Sequence, residues 1–230
     1  LLTLGMRLAQ TARSEIISGK NGTGSLAEIL SPSYFKKYSD LFDSEISLKP
    51  NKNKPGSGST THMSIIDSQG NAASVTTTNG EGCGYIIPGT GIMMNNILGE
   101  EDLNPDGFHN WETTKRMETM MSPTIVIGDF GPELVLGSGG SNRIRSAIKQ
   151  VIVNKFIKNM NLEEAIQAPR IHLEENIIHC ESGINTDKLI FPWSTIHHWH
   201  EKNLFFGGVN AVTPTNAVGD PRRSGYGLVC

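Results

Sequence analysis

Between Lys49 and Ser59 the chain reads Lys-Pro-Asn-Lys-Asn-Lys-Pro-Gly-Ser-Gly-Ser, and at Thr60 it changes to Thr-Thr-His-Met-Ser-Ile-Ile-Asp. Proline removes backbone donors, glycine leaves the backbone unrestrained, and the polar remainder has nothing to bury. No helix or strand is expected to cross such a stretch. It reads as an exposed, extended linker of the kind most readily cut by proteolysis. Whatever folds after it must begin afresh at Thr60. The expected division is residues 1–59, ending in the linker, and residues 60–230.

Upstream of the linker, Leu4, Leu8, Ala12 and Ile16 recur every four residues and predict a helix over Leu1–Ile17. A second helix is expected over Pro32–Phe42, with Ser31 as N-cap and proline in the first turn. A helix already in progress at Leu1, without the charged and apolar regions of a signal peptide, is expected to be a piece of a longer precursor.

Downstream the pattern turns to strands. Thr60–Asp67 and Ala72–Thr78 are rich in β-branched residues, and Ser-Gln-Gly-Asn between them predicts a hairpin. Thr124–Ile127 and Leu134–Leu136 form a second pair around Asp129-Phe-Gly-Pro132. Ile144–Ile157 is an amphipathic helix, Asn161–Ala168 a shorter one stopped by Pro169, and Gly208–Cys230 returns to short strands. Hairpins followed by packed helices predict an α+β layered architecture rather than a doubly wound sheet.

Composition narrows the chemistry. A formal net charge of -3 gives no global attraction to nucleic acid or to an anionic membrane, and no apolar run is long enough to span one. Cys83, Cys180 and Cys230 lie far apart without CxxC spacing, which argues against a disulfide framework or a zinc cluster. His197-His-Trp-His200 lacks HExxH spacing and reads as a solvated or interface segment. Arg222 and Arg223 read as a structural ion pair, with carboxylate binding as the alternative. No motif calls for a cofactor or metal.

The candidate chemistry sits at the linker–strand junction. A threonine hydroxyl is a poor nucleophile without an adjacent base, but a cut before Thr60 would free an α-amine to take its proton. The reference pKa of such an amine, about 7.7–8, suits a general base near neutrality. Thr78 ends the second strand, where an antiparallel return can bring its hydroxyl beside Thr60. Glu100-Glu-Asp102 could meet the ammonium of an amino-acid substrate. Leu136-Gly-Ser-Gly-Gly-Ser-Asn-Arg-Ile144 joins a strand to a helix and offers backbone N–H groups to an oxyanion. It lacks the lysine of a nucleotide-binding P-loop.

In this order the residues resemble the γ-glutamyltranspeptidase family. The resemblance runs through Thr60-Thr61-His62, Asp67-x-x-Gly-Asn71, Thr78, Gly91-Ile-x-x-Asn-Asn96, Met121-Ser-Pro-Thr-Ile125, the glycine turn with Arg143-Ile144, Ala168-Pro-Arg170 and Asp220-Pro-Arg222. It covers residues 60–230, the family's small catalytic subunit, while residues 1–59 resemble the end of the large one. It implies a four-layer αββα sandwich of the N-terminal-nucleophile hydrolase type, self-cleavage, and transfer of a γ-glutamyl group from glutathione-like donors to water or an amine. Thr60 would then be nucleophile and base, Thr78 its orienting group, and Asp102 the partner of the donor's ammonium. The oxyanion hole falls on N–H groups of Gly139 and Gly140 by the Gly-Gly match, or of Gly140 and Ser141 by ungapped spacing. The large-subunit sequence upstream would be a partner, and homo- or heterodimer assembly is compatible with the family. The location is not readable from these residues; the resemblance implies a periplasmic or extracellular one, with a cytoplasmic one as the alternative.

Several positions depart from the family pattern. Asn79 stands one residue before the place of a family asparagine, which here is Gly80. Ile97 follows Asn95-Asn96 where Gln or Glu is usual, and Gly99 and Glu100 look like an insertion before the acidic pair. Thr119 and Met120 take the places of two serines that bind the donor carboxylate. These departures leave room for an amidohydrolase of another substrate on the same fold, such as poly-γ-glutamate or a β-lactam side chain, or for a non-catalytic fragment.

Overall fold

A computed structural model describes residues 2–17, 31–43, 59–80, 82–104, 107–110, 113–114, 116–187 and 194–230, so the linker before Ser59 lies outside the described residues. The chain forms two compact units that do not follow chain order. The first comprises residues 1–52, 171–180 and 185–198; the second comprises 53–170, 181–184 and 199–230.

In the first unit, α1 (Leu2–Ile17) and α2 (Pro32–Asp43) accompany a three-stranded sheet of β5 (Ile171–Glu174), β6 (Ile177–Cys180) and β7 (Thr195–His198). Both helices stand where periodicity put them, and the Ser31 hydroxyl accepts the Tyr34 N–H at 3.2 Å, the expected cap. On α1, Thr3, Met6, Arg7 and Leu8 are buried, a broader arc than the Leu4–Leu8–Ala12 stripe. Strands β5–β7 had no clear sequence signal, being four residues each. They place His172, His179 and His197 side by side in register, with His197 and His198 exposed. No metal-holding cluster occurs among the described residues.

The second unit is layered. Its first sheet is the hairpin of β1 (Thr60–Ile66) and β2 (Ala72–Thr78), paired from Thr60↔Thr78 to Ile66↔Ala72. The turn is closed by the Asp67 carboxylate, which accepts the N–H groups of Gln69 and Asn71 at 2.9 and 2.8 Å. The second sheet has the order β3 (Thr124–Gly128), β4 (Gly131–Gly139), β8 (Gly208–Val212) and β9 (Ala217–Val218). The helical layer is α3 (Arg143–Ile152), continued by a π-helical turn over Val153–Ile157 where periodicity predicted unbroken α-helix, then α4 (Leu162–Gln167) with an Asn161/Glu164 capping box.

Strand β4 is the middle of this stack. Leu134, Val135 and Leu136 are each fully buried, a run without alternation because both faces are covered. Leu134 and Leu136 join Ile144, Ala147, Ile148 and Val151 of α3, with Val209 and Ala211 of β8, in one core cluster. The other face meets the hairpin. A Cβ at Gly137 would strike the His62 ring, and one at Gly139 would strike the Thr60 carbonyl. Small residues thus bring β1 down onto β4 at the two positions beneath His62 and Thr60.

Candidate active site

Thr60 opens β1, and its Oγ1 lies 3.0 Å from Thr78 Oγ1 across the hairpin. Thr78 Oγ1 also accepts the Gly80 N–H at 3.0 Å, which anchors it from the far side, and either hydroxyl can donate in the Thr60–Thr78 bond. Ser59, on the other side of the peptide bond, is held as well. Its N–H donates to the Gly80 carbonyl at 2.8 Å, and its own carbonyl accepts the Asn79 N–H at 3.4 Å.

Gly80 has φ +65°, and a Cβ there would collide with the Asn96 main chain, so the family asparagine has no room at this position. Asn79 is exposed, and its carbonyl takes the Asn96 N–H at 2.9 Å; the segment with the acidic residues is thereby tied to the end of the hairpin.

His62 shares the inward face of β1 with Thr60 and is 3% exposed. Its Nδ1 lies 2.7 Å from Thr76 Oγ1 and its Nε2 2.9 Å from Ser64 Oγ, so both ring nitrogens are committed away from Thr60. Burial pushes the imidazole down to about 4, and it is neutral at ordinary pH.

Beneath Thr60 the glycine turn leaves β4. Gly140 (φ +128°) and Ser141 (φ +50°) reverse the chain into α3. Their carbonyls accept the N–H groups of Arg143 and Ile144 at 3.0 and 3.1 Å, while their own N–H groups meet no acceptor among the described residues. A Cβ at Gly140 would stand 2.9 Å from Gly207 Cα, so the turn is packed from behind.

The acidic residue the structure brings to this turn is Glu100, which in the sequence looks like part of an insertion before the acidic pair. It is 6% exposed, with Oε2 3.5 Å from Ser141 Oγ, long for a hydrogen bond but adjacent. Asp102 is half-buried on the following turn, Glu101–Leu103. Counting on from Asn95-Asn96 without a gap would have pointed to Glu100. Thr119 uses its hydroxyl to accept the Met121 N–H at 3.2 Å. Met120 is 4% exposed and belongs to the core cluster; the structure does not bring its side chain to Thr60.

Arg222 is the structural ion pair expected. Its Nε donates to Glu181 Oε1 at 2.7 Å and its Nη1 to Asp220 Oδ1 at 3.3 Å, while Asp220 Oδ2 takes Arg170 Nη2 at 2.6 Å. All four side chains are buried. Arg223 takes no part in this network.

Layered antiparallel sheets under a helical layer, with a threonine starting the inner hairpin above a glycine turn, are the fold of the N-terminal-nucleophile hydrolases. The family model for gamma-glutamyltranspeptidase matches residues 2–230, and the chain belongs to that family. It is 31% identical over 180 residues to the glutathione hydrolase proenzyme of Bacillus subtilis (strain 168), covering 74% of this chain and 31% of that one. It is 35% identical over 130 residues to the acylase ACY 1 proenzyme of Pseudomonas sp. (strain SE83), covering 56% and 23%. The gamma-glutamyltranspeptidase from Pseudomonas nitroreducens complexed with L-DON superposes with a TM-score of 0.60 at 29% identity, covering 74% of this chain and 99% of that chain. The chain spans about a third of the length of the curated relatives it matches.

Proposed function

We propose that this chain is the catalytic portion of a γ-glutamyltranspeptidase-type N-terminal-nucleophile hydrolase, cut between Ser59 and Thr60. It moves a γ-glutamyl group from glutathione or a related amide to water or an amine. Residues 1–59 are the end of the large-subunit region and residues 60–230 the small subunit. The observation that carries the reading is the 3.0 Å pairing of the Thr60 and Thr78 hydroxyls above the glycine turn.

In self-cleavage the Thr60 hydroxyl attacks the Ser59 carbonyl, the acyl group passes from N to O, and water hydrolyses the ester. The freed α-amine then takes the hydroxyl proton when Thr60 attacks the substrate amide, giving an acyl-enzyme that water or an amine resolves. Thr78 orients the nucleophile. Gly140 and Ser141 are the better-supported oxyanion donors, since their N–H groups are uncommitted, with Gly139 and Gly140 the competing pair. Glu100 receives the donor's ammonium ahead of Asp102 because it stands beside the turn. Asn79 and Thr119 border the donor, Asn79 through its main chain.

The rest of the precursor is the partner this reading requires. Met63, Ile65 and Val75 on the outward face of the hairpin, with Ile125 and Ile127 of β3, are exposed, more apolar surface than strands bare to water usually carry. A second reading, an acylase for another amide, is favoured by one observation: Met120 lies in the core, so it supplies nothing in place of the serine that would bind a γ-glutamyl carboxylate.

Intact-mass measurement of the expressed precursor tests the proposal. The smaller product should begin Thr-Thr-His-Met, and a chain that stays whole, or starts elsewhere, refutes it.

A further inference from the structure

Gly139 of β4 and Gly208 of β8 are cross-strand partners. Two glycines facing each other weaken a sheet, since neither contributes a side chain to pack, and such a pair marks a close approach. Two groups fill the space they clear. One is the Thr60 carbonyl over Gly139, and the other is Arg223, whose stem lies over Gly208, where a Cβ would stand 2.7–2.8 Å from its methylene carbons. The guanidinium reaches the glycine turn. Arg223 Nη1 lies 3.5 Å from the Cβ position of Gly139, and Nη2 lies 3.6 Å from that of Gly140.

This cation is poorly matched for its place. No carboxylate among the described residues forms an ion pair with it; Asp220 and Glu181 are taken by Arg170 and Arg222. Its Nε is buried without an acceptor, and Nη2 makes one long contact, 3.4 Å, to the Leu204 carbonyl. Burial and the neighbouring charge of Arg143 both press its pKa downward, against the attraction of Asp220. A half-buried guanidinium that keeps its charge with donors unspent, beside the Gly139 position that the Thr60 carbonyl also approaches, is arranged to receive a planar anion.

We propose that Arg223 binds a carboxylate of the substrate beside the glycine turn, making it a specificity-determining residue of the site. This rests on the reading of Thr60 as nucleophile and deepens it. The enzyme selects amides that carry a carboxylate near the scissile bond, on either the acyl or the leaving side. With the usual serines replaced by Thr119 and Met120, Arg223 supplies the anion contact from the opposite end of the chain.

The test uses the full self-cleaved protein. Four anilides are compared: γ-glutamyl-anilide, its analogue lacking the α-carboxylate, and each of these with a carboxylate added to the aniline ring. Arg223→Gln should lower kcat/KM about 10- to 100-fold for the substrates whose carboxylate it holds, mostly through KM. The carboxylate-free anilide should change less than about 3-fold, and Arg223→Lys should recover part of the loss. The arm that suffers identifies the acyl or the leaving side. Equal loss on all four, or none on any, overturns the proposal.

An activity-independent measurement separates this from the wider function. Glutarate, but not glutaramide, at matched ionic strength should raise the Tm of the wild type and leave Arg223→Gln unmoved. No shift in the wild type, or the same shift in both proteins, overturns the proposal even if no amide is turned over. If Arg223→Gln does not accumulate, Arg223→Lys carries the same comparison and should show a reduced glutarate shift.

Discussion

Thr60 and Thr78 hold their hydroxyls 3.0 Å apart at the open end of the first hairpin, and the Gly80 N–H donating to Thr78 Oγ1 anchors the Thr78 side of the pair. The bond fixes the rotamer of the attacking oxygen in either direction, and with Thr78 as donor the Thr60 proton is free to move to a base. Thr78→Val matches the shape and removes the bond. We expect normal strand pairing and a turnover lowered on the order of 10- to 100-fold. Unchanged kinetics in the pre-cleaved variant would take Thr78 out of the site, and Thr60→Ala should remain a single chain on a denaturing gel.

His62 gives a pH prediction for stability. Its folded pKa of about 4 lies below the ordinary 6.5, so the unfolded chain takes up a proton more readily. The stability associated with neutral His62 is complete above pH 6.5 and is lost as pH falls toward 4, by up to about 3 kcal/mol. Urea midpoints at pH 7 and pH 4.5 should differ accordingly. His62→Gln should flatten this part of the profile.

The same geometry bears on catalysis. Both His62 nitrogens are bonded to Thr76 and Ser64, so kcat/KM should rise with pH through the Thr60 amine rather than a histidine. The limb should persist in single substitutions of each of the seven histidines. A histidine variant that loses it would identify a different base.

The two acids can be told apart. Glu100→Gln should raise KM for γ-glutamyl donors by about 10- to 100-fold, while Asp102→Asn should have the smaller effect. The reverse order would restore Asp102 as the partner of the ammonium.

Gly139→Ala puts a methyl into the Thr60 carbonyl. The collision is with main chain, which cannot rotate away, so a cost of about 1–3 kcal/mol and failure of self-cleavage are expected. A processed, active Gly139→Ala enzyme would show that β1 has slack above β4.

Local chemistry made the main elements legible. The proline- and glycine-rich run before Thr60, the Asp67–Asn71 turn, the cap at Ser31 and the stop at Pro169 depend on residues within four positions of one another. So do the helical periods of α1, α2 and most of α3, and the ordered motifs that mark the family.

What the sequence alone left open was decided by contacts between residues far apart in the chain. The 4-residue strands β5–β7 take their form from pairing. Met120 reads as a replaced serine until packing turns it into the core, and Glu100 reads as an insertion until the fold sets it 3.5 Å from Ser141, 41 residues on. Arg222 and Arg223 are neighbours with the same side chain, yet one is spent on Glu181 and Asp220 and the other lies over a pair of glycines. Side-chain identity fixes what chemistry is available, but only the tertiary structure fixes which charges are already paired and which lie beside the glycine turn.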